Sequence, residues 1–378
     1  MIYGVMIMRK YVEKALKAVE ISAVAAAFLF CLTDAGAAAE AVAESIYRCI
    51  NTVIPSLFAM MIVSSLMTES GVLSLMPRCI GRFGRLVFGM EESVFPIFTF
   101  GMLAGYPVGV KMLCDEYSRG RLTRKRAELL SGLCFGAGPA FIFGCISQQL
   151  YSSRCAGLII LISTISANLI LALLMSVPLR RTASAVSSPC RVSISSDMLT
   201  DCILRSGRAM GNICIMIAAF AAANAALDRM GVSAAAGELL MKLPDLRRIR
   251  GEVTVASVLD VTNISRFPCG DWLLLPCISA LTSFGGVCVL FQLRALTAGK
   301  LSLKPFIIMR AAAALLSYLI CRLIFPFFIG SEATEASVSR ISSSSSGTVV
   351  PSVMLIIMTV MLMLEFSEKS SLQHTKSC

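Results

Sequence analysis

The sequence predicts an all-α polytopic membrane helix bundle with two pseudo-repeated halves, each containing a re-entrant or broken helix. Three observations lead there. Apolar residues make up 56% of the 378 positions and charged residues 15%, with a mean hydropathy of +0.79, whereas a soluble domain carries roughly 25% charge. The apolar residues fall in blocks that reach the roughly 20 residues a helix needs to cross a hydrocarbon core. Apolar stretches interrupted by Gly and Pro recur at corresponding places in the two halves.

The blocks run near 19–38, 50–69, 127–147, 155–178, 209–230, 271–293, 305–329 and 349–364. The first follows Arg9, Lys10, Lys14 and Lys17. Its run Ala23 to Leu32, with Ala35-Gly36-Ala37 beyond it, has the outline of a cleaved signal. It is read as a retained helix, because basic residues before a block equally mark a first crossing from the inside. The net charge of +11 is distributed between blocks, at Arg78, Arg82 and Arg85, at 119–126, at Arg180, Arg181 and Arg191, and at 294–304. That is the positive-inside pattern, and it places 119–126 and 294–304 on one side of the bilayer. A nucleic-acid groove would interleave basic residues with stacking aromatics, which this chain does not do.

Block 50–69 and loop 119–126 share a side, so the segment between them, Val94 to Leu113, must enter and leave on that side or pair with a partial crossing at 72–90. Its Phe95-Pro96, Gly101, Gly105, Pro107 and Gly109 fit an interrupted helix packed inside protein. Gly101, Gly105 and Gly109 also spell two GxxxG steps for close helix packing. After 127–147 and 155–178 comes a polar, Ser-rich linker at 180–200. The second interrupted region spans Val253 to Gly286, and the topology of 231–270 is the least determined by charge. The pair Gly120-Arg121-Leu122-Thr123 and Gly299-Lys300-Leu301-Ser302 supports repetition of the halves, a pattern associated with transporter sites at the bilayer midplane. The organisation is therefore 1–44, basic segment and first helix; 45–179, first half; 180–200, linker; 201–330, second half; and 331–378, Ser-rich loop, last helix and polar tail.

The fifteen cysteines form no CxxC, and most, such as Cys134, Cys214 and Cys321, stand singly in apolar blocks as small hydrophobes. The one histidine, His374, lies in the tail, so no metal site and no cofactor are expected. No P-loop, GxSxG or HExxH occurs, which argues against an enzyme.

A half-helix beginning inside the membrane presents unpaired N–H groups and a positive dipole end, both suited to a carboxylate or phosphate. Candidate solute-binding residues in the first half are Gly105, Tyr106, Pro107, Gly109 and Lys111, with Gly136, Gly138, Pro139 and Ala140 from the next helix. Lys111 either meets a solute carboxylate or pairs with Asp115. In the second half Thr262, Asn263, Gly285 and Gly286 are solute-binding candidates, and Asp260 is the candidate for a coupling cation or proton, since an intramembrane charge is costly. Asp260 paired with Arg266 is the structural alternative. Arg310 and Arg322 lie within the 305–329 block and reach either an interface or a pore.

The stretch Phe100 to Lys111 (FGMLAGYPVGVK), followed by Gly120-Arg121-Leu122-Thr123 and Ala137-Gly138-Pro139-Ala140-Phe141-Ile142-Phe143-Gly144, resembles the YlbJ-type sporulation integral membrane proteins. These belong to the nucleoside-recognition or Gate domain group, related to concentrative nucleoside transporters. Leu259-Asp260-Val261-Thr262-Asn263, Ser283-Phe284-Gly285-Gly286-Val287 and Phe291-Gln292 are similar to that group's second gate-like stretch, and the resemblance spans about 45–330. Phe135 and Gly136 stand where the family pattern has asparagine, and Asp260 where it has glutamate. The resemblance implies a bacterial forespore membrane and transport of dipicolinate. The alternatives are a nucleoside or other small-metabolite carrier, and a non-transporting scaffold for spore assembly.

Overall fold

The computed structural model describes residues 33–75, 78–182, 195–240 and 251–335. The 349–364 block, most of 19–38, Arg191, the basic residues between 241 and 250, the Ser-rich run and His374 lie outside them. The described residues are α-helical with short 3-10 and π turns and contain no strand. Five helices are long and apolar enough to cross a membrane: Ala35–Glu69, Arg154–Leu174, Ser196–Arg229, Trp272–Leu296 and Lys304–Phe328. Together with the composition, they define an all-α membrane bundle.

Helix α1 (Ala35–Glu69) runs through positions 44 and 45 without a break and bulges at a π turn, Cys49–Val53. The cause is local. Pro55 has no N–H to give to the carbonyl four residues back, and the Ile54 N–H reaches Cys49 O instead. Two short helices, α2 (Arg78–Phe88) and α3 (Phe95–Ala104), then lead to a turn at 105–107 and to α4 (Val108–Ser118). Gly105 at φ +89° ends α3 in a conformation that disfavours any side chain, and the Tyr106-Pro107 bond is cis. The chain reverses there. A Cβ added to Gly101 would lie 2.9 Å from Gly109 Cα, so α3 and α4 touch backbone to backbone.

Helix α5 (Arg124–Ser131) gives way at 132–138 to a non-helical stretch buried in the bundle, before α6 starts at Pro139–Phe141 and continues through Ile142–Tyr151 as a π helix. Helices α7 (Arg154–Leu174), α8 (Ser176–Arg181) and α9 (Ser196–Arg229) follow. Ser153 and Ser195 cap α7 and α9 by accepting from Cys155 N and Met198 N. Helices α10 (Val232–Leu240) and α11 (Gly251–Leu259) meet at Gly237 and Gly251, where a Cβ on the first would stand 2.4 Å from the other's Cα. Asp260 ends α11 and caps a 3-10 turn, Val261–Arg266. Helices α12 (Leu275–Phe284) and α13 (Val287–Leu296) are separated by Gly285 and Gly286, both at positive φ, and α14 (Lys304–Glu335) completes the described chain.

Polar contacts sort the loops into two ends. At one, Lys300 Nζ donates to Ser118 Oγ (3.5 Å) and Ser302 N to Glu128 Oε1 (2.8 Å), bringing 119–126 and 294–304 together. At the other, Arg229 pairs with Asp34 (3.0 Å), Arg266 with Glu44 (3.6 Å), and Gly270 N donates to Leu150 O (2.7 Å). Arg126 is not a solvated loop residue. It lies in the first turn of α5, fully buried, and donates to Leu179 O (2.6 Å) and Gly89 O (3.2 Å) beside Glu91.

Candidate functional site

Each chain interruption lies against another. A Cβ on Gly105 would be 3.2 Å from Gly138 N, so the α3–α4 turn sits on the unwound stretch before α6. A Cβ on Gly286 would be 3.0 Å from Val261 N, so the α12–α13 break sits on the α11 terminus. Between these contacts lies a small cavity of about 50 Å3, enough for a few waters. Its walls include Thr52, Ser56 and Leu57 of α1, Gly105 and Tyr106, Ala137 and Gly138, Asp260 to Thr262, Ile213 and Ile217 of α9, and Val289 and Gln292 of α13.

Of the residues nominated from sequence, Gly105, Tyr106, Gly138, Asp260 and Thr262 line this cavity. Pro107 and Pro139 sit at the starts of α4 and α6 beside it. Gly285 and Gly286 support it from behind, a Cβ on Gly285 meeting the Phe135 ring at 2.6 Å. Gly109 and Gly136 serve close packing instead: their Cβ atoms would fall 2.2 Å from Cys134 O and 2.8 Å from Met102 O. Ala140 lies in the first turn of α6, outside the walls named above. Asn263 ties down the α11 terminus, donating to Ala256 O and Asp260 O (both 3.2 Å) and accepting from Arg48 Nη1 (3.4 Å).

Asp260 is 3% exposed and accepts from Thr262 twice, from N at 3.1 Å and from Oγ1 at 2.8 Å. Arg266 is engaged with Glu44, not with Asp260. Asp260 is the one charged residue among the cavity walls.

Lys111 lies elsewhere. Its Nζ donates to Ser65 Oγ (2.7 Å) and Asp115 Oδ2 (3.0 Å). Ser65 also meets Ser206 of α9 at 3.2 Å, and one turn further along α1 Glu69 pairs with Arg119 (3.1 Å) and with Arg205. Helices α1, α4 and α9 are thus joined by polar rungs between the cavity and the end that carries 119–126.

One feature was not singled out by sequence reasoning, and a second, Arg310, was left there between an interface and a pore. Thr52 and Ser56 face the cavity around the π turn, and Pro55 inside an apolar block was the signal available for that irregularity. Arg310 is completely buried. Its Nη2 donates to Asn168 Oδ1 (2.7 Å), Nη1 lies 3.4 Å from Phe135 O and 3.3 Å from Ser283 O, and its guanidinium stands 5.1 Å over the Phe135 ring. Asn168 also donates to Phe135 O at 2.8 Å. These bonds connect α7 and α14 to both unwound regions.

Comparison with protein-family profiles, with curated proteins and with solved structures finds no match to this chain.

Proposed function

We propose that the chain is a membrane carrier for a small anionic solute, with the basic end in the cytoplasm. The observation that carries this reading is the cavity lined where two pairs of chain interruptions meet. In this reading α3 and α4 form a re-entrant hairpin from the basic end, α11 and its 3-10 turn form a counterpart from the opposite end, and the broken helices α5–α6 and α12–α13 cross between them. The two halves then repeat the same plan in inverted order, as carriers with a midplane site do.

Helices α4, α6 and α13 all begin beside the cavity, so their positive dipole ends favour an anion there. Asp260 is then the proton or cation acceptor that keeps the site near neutrality when an anion enters. The resemblance to YlbJ-type proteins makes dipicolinate in a forespore membrane the first solute to test. A second reading has its own support: Gln292 and Asp260 both face the cavity, an amide and a carboxylate suited to ribose hydroxyls, so a nucleoside is the second solute.

Uptake of labelled dipicolinate and uridine into proteoliposomes, with and without a proton or sodium gradient, separates these readings. Dipicolinate uptake above empty vesicles supports the anion carrier and uridine uptake alone the nucleoside carrier. Uptake of neither, by protein that is inserted and folded, favours a scaffold.

A further inference from the structure

Three buried polar atoms without a hydrogen-bond partner belong to residues linked to a single aromatic ring, Phe135. They are Tyr106 Oη, Ser283 Oγ and Arg310 Nε. Tyr106 stacks on Phe135 with ring centroids 4.8 Å apart, Arg310 lies over the Phe135 ring at 5.1 Å, and Ser283 accepts from Arg310 through its carbonyl. Gly285, two residues beyond Ser283, has room for no more than a hydrogen because the Phe135 ring is against it.

A buried hydroxyl or guanidinium N–H without an acceptor carries a desolvation cost, and several together at one place are unusual in a folded core. Arg310 makes the case sharper. It lies within a membrane-spanning helix, and the acceptors it meets are two carbonyls and one amide oxygen, with no carboxylate among the described residues within ion-pair distance. A cation in that position is expected to have an anionic partner for part of a functional cycle. Arg310 Nε can only donate and the two hydroxyls can donate or accept, so a carboxylate, which only accepts, satisfies all three.

We propose that Arg310, Ser283 and Tyr106 form a carboxylate subsite of the central cavity, and that Phe135 occupies its entrance in this conformation. The inference rests on the carrier reading and deepens it. Tyr106 is shared, lining the cavity with one edge and stacking on Phe135 with its face. Phe135 belongs to the non-helical 132–138 stretch, and because Asn168 and Arg310 hold its carbonyl, the movement required is rotation of its side chain. Its displacement opens the cavity to Arg310, and a planar carboxylate takes its place between the Tyr106 ring and the guanidinium. No covalent step is involved. Arg310 retains Asn168 as an orienting partner, since that bond uses Nη2 and leaves Nε free.

The test is equilibrium binding to the full chain in lipid nanodiscs, with dipicolinate and benzoate as probes and the neutral dicarboxamide of dipicolinate as control. Wild type is expected to bind the carboxylates and not the dicarboxamide. Arg310→Lys weakens carboxylate binding by about tenfold, because a charged hydrogen-bond pair is replaced by a point charge of different geometry. Ser283→Ala, a small change that keeps the fold, weakens it by about threefold. Phe135→Ala tightens it, since the competing ring is gone, and this gain guards against mistaking misfolding for lost binding. Carboxylate affinity unchanged in Arg310→Lys and Ser283→Ala, or weakened in Phe135→Ala, overturns the subsite. Transport of dipicolinate by those same variants at the wild-type rate would leave the carrier reading standing without it, whereas wild type that binds no carboxylate removes the subsite and the anion carrier together.

Discussion

Lys111 Nζ lies 3.0 Å from Asp115 Oδ2, on the same face of α4 one turn further on, and is held from the other side by Ser65 of α1. The lysine therefore closes a contact between two helices below the cavity. From Ser56 at the cavity wall to Ser65 is nine residues of α1, about 13 Å at roughly 1.5 Å per residue.

That separation gives the first prediction. If the rungs at Lys111 and Glu69 seal the cytoplasmic route, Lys111→Gln lowers the maximal transport rate severalfold while the solute concentration giving half-maximal uptake stays within about twofold. Concentration-dependent uptake in proteoliposomes measures both. A rise in that concentration with the maximal rate intact would return Lys111 to the solute site.

Packing at the α3–α4 hairpin sets the second prediction. A methyl on Gly109 would stand 2.2 Å from Cys134 O and 2.8 Å from Gly101 Cα, both backbone atoms that cannot turn aside. Gly109→Ala should cost about 1–3 kcal/mol or more and lower the thermal midpoint in detergent. Gly211→Ala, inside α9 with nothing within 4 Å of its Cβ, should hold or raise the midpoint.

The first-half interruption was legible because Gly105 and Pro107 alter the backbone whatever surrounds them, and the same holds for Gly285 and Gly286. Asp260 was legible because a carboxyl in an apolar run needs a reason. Arg126 and Arg310 were not, because a basic residue reads alike whether it snorkels to an interface or is buried, and what distinguishes them is carbonyls supplied by distant segments: Leu179 and Gly89 for one, Phe135 and Ser283 for the other. Glycine roles divided similarly, since only the fold tells that Gly109 packs on Cys134 while Gly105 packs on Gly138 and also lines the cavity.

Arg126 supplies the third prediction. Removing a fully buried guanidinium that holds two carbonyls and the Glu91 carboxylate should destabilise the basic end by about 3–5 kcal/mol. Arg126→Ala is expected to unfold at a clearly lower temperature, and Arg124→Ala, whose side chain is exposed beside Glu128, to differ little. Equal behaviour of the two variants would contradict the burial.

Topology supplies the fourth. Cys269 is exposed at the end opposite the basic loops, near Gln149 and Leu150. With the other cysteines replaced, a membrane-impermeant maleimide added outside intact cells should label Cys269, and should label Gly120→Cys or Gly299→Cys only after permeabilisation. The reverse pattern would invert the orientation, and labelling of both ends from outside would break the pairing of 119–126 with 294–304.

The fifth concerns Asp260. Its carboxylate is held by the Thr262 N–H and hydroxyl, so the side chain is oriented and one partner can be removed without removing the charge. If Asp260 takes up the coupling proton or cation, Asp260→Asn should abolish the response of uptake to that gradient while leaving exchange of solute across vesicles without a gradient. Thr262→Val deletes one hydrogen bond to the carboxylate and keeps its charge. With the proton as coupling ion, the pH profile of uptake should differ between Thr262→Val and wild type. An unmoved pH profile in Thr262→Val, together with an intact gradient response in Asp260→Asn, would take the coupling role away from this carboxyl and leave it as the cap of the Val261–Arg266 turn alone.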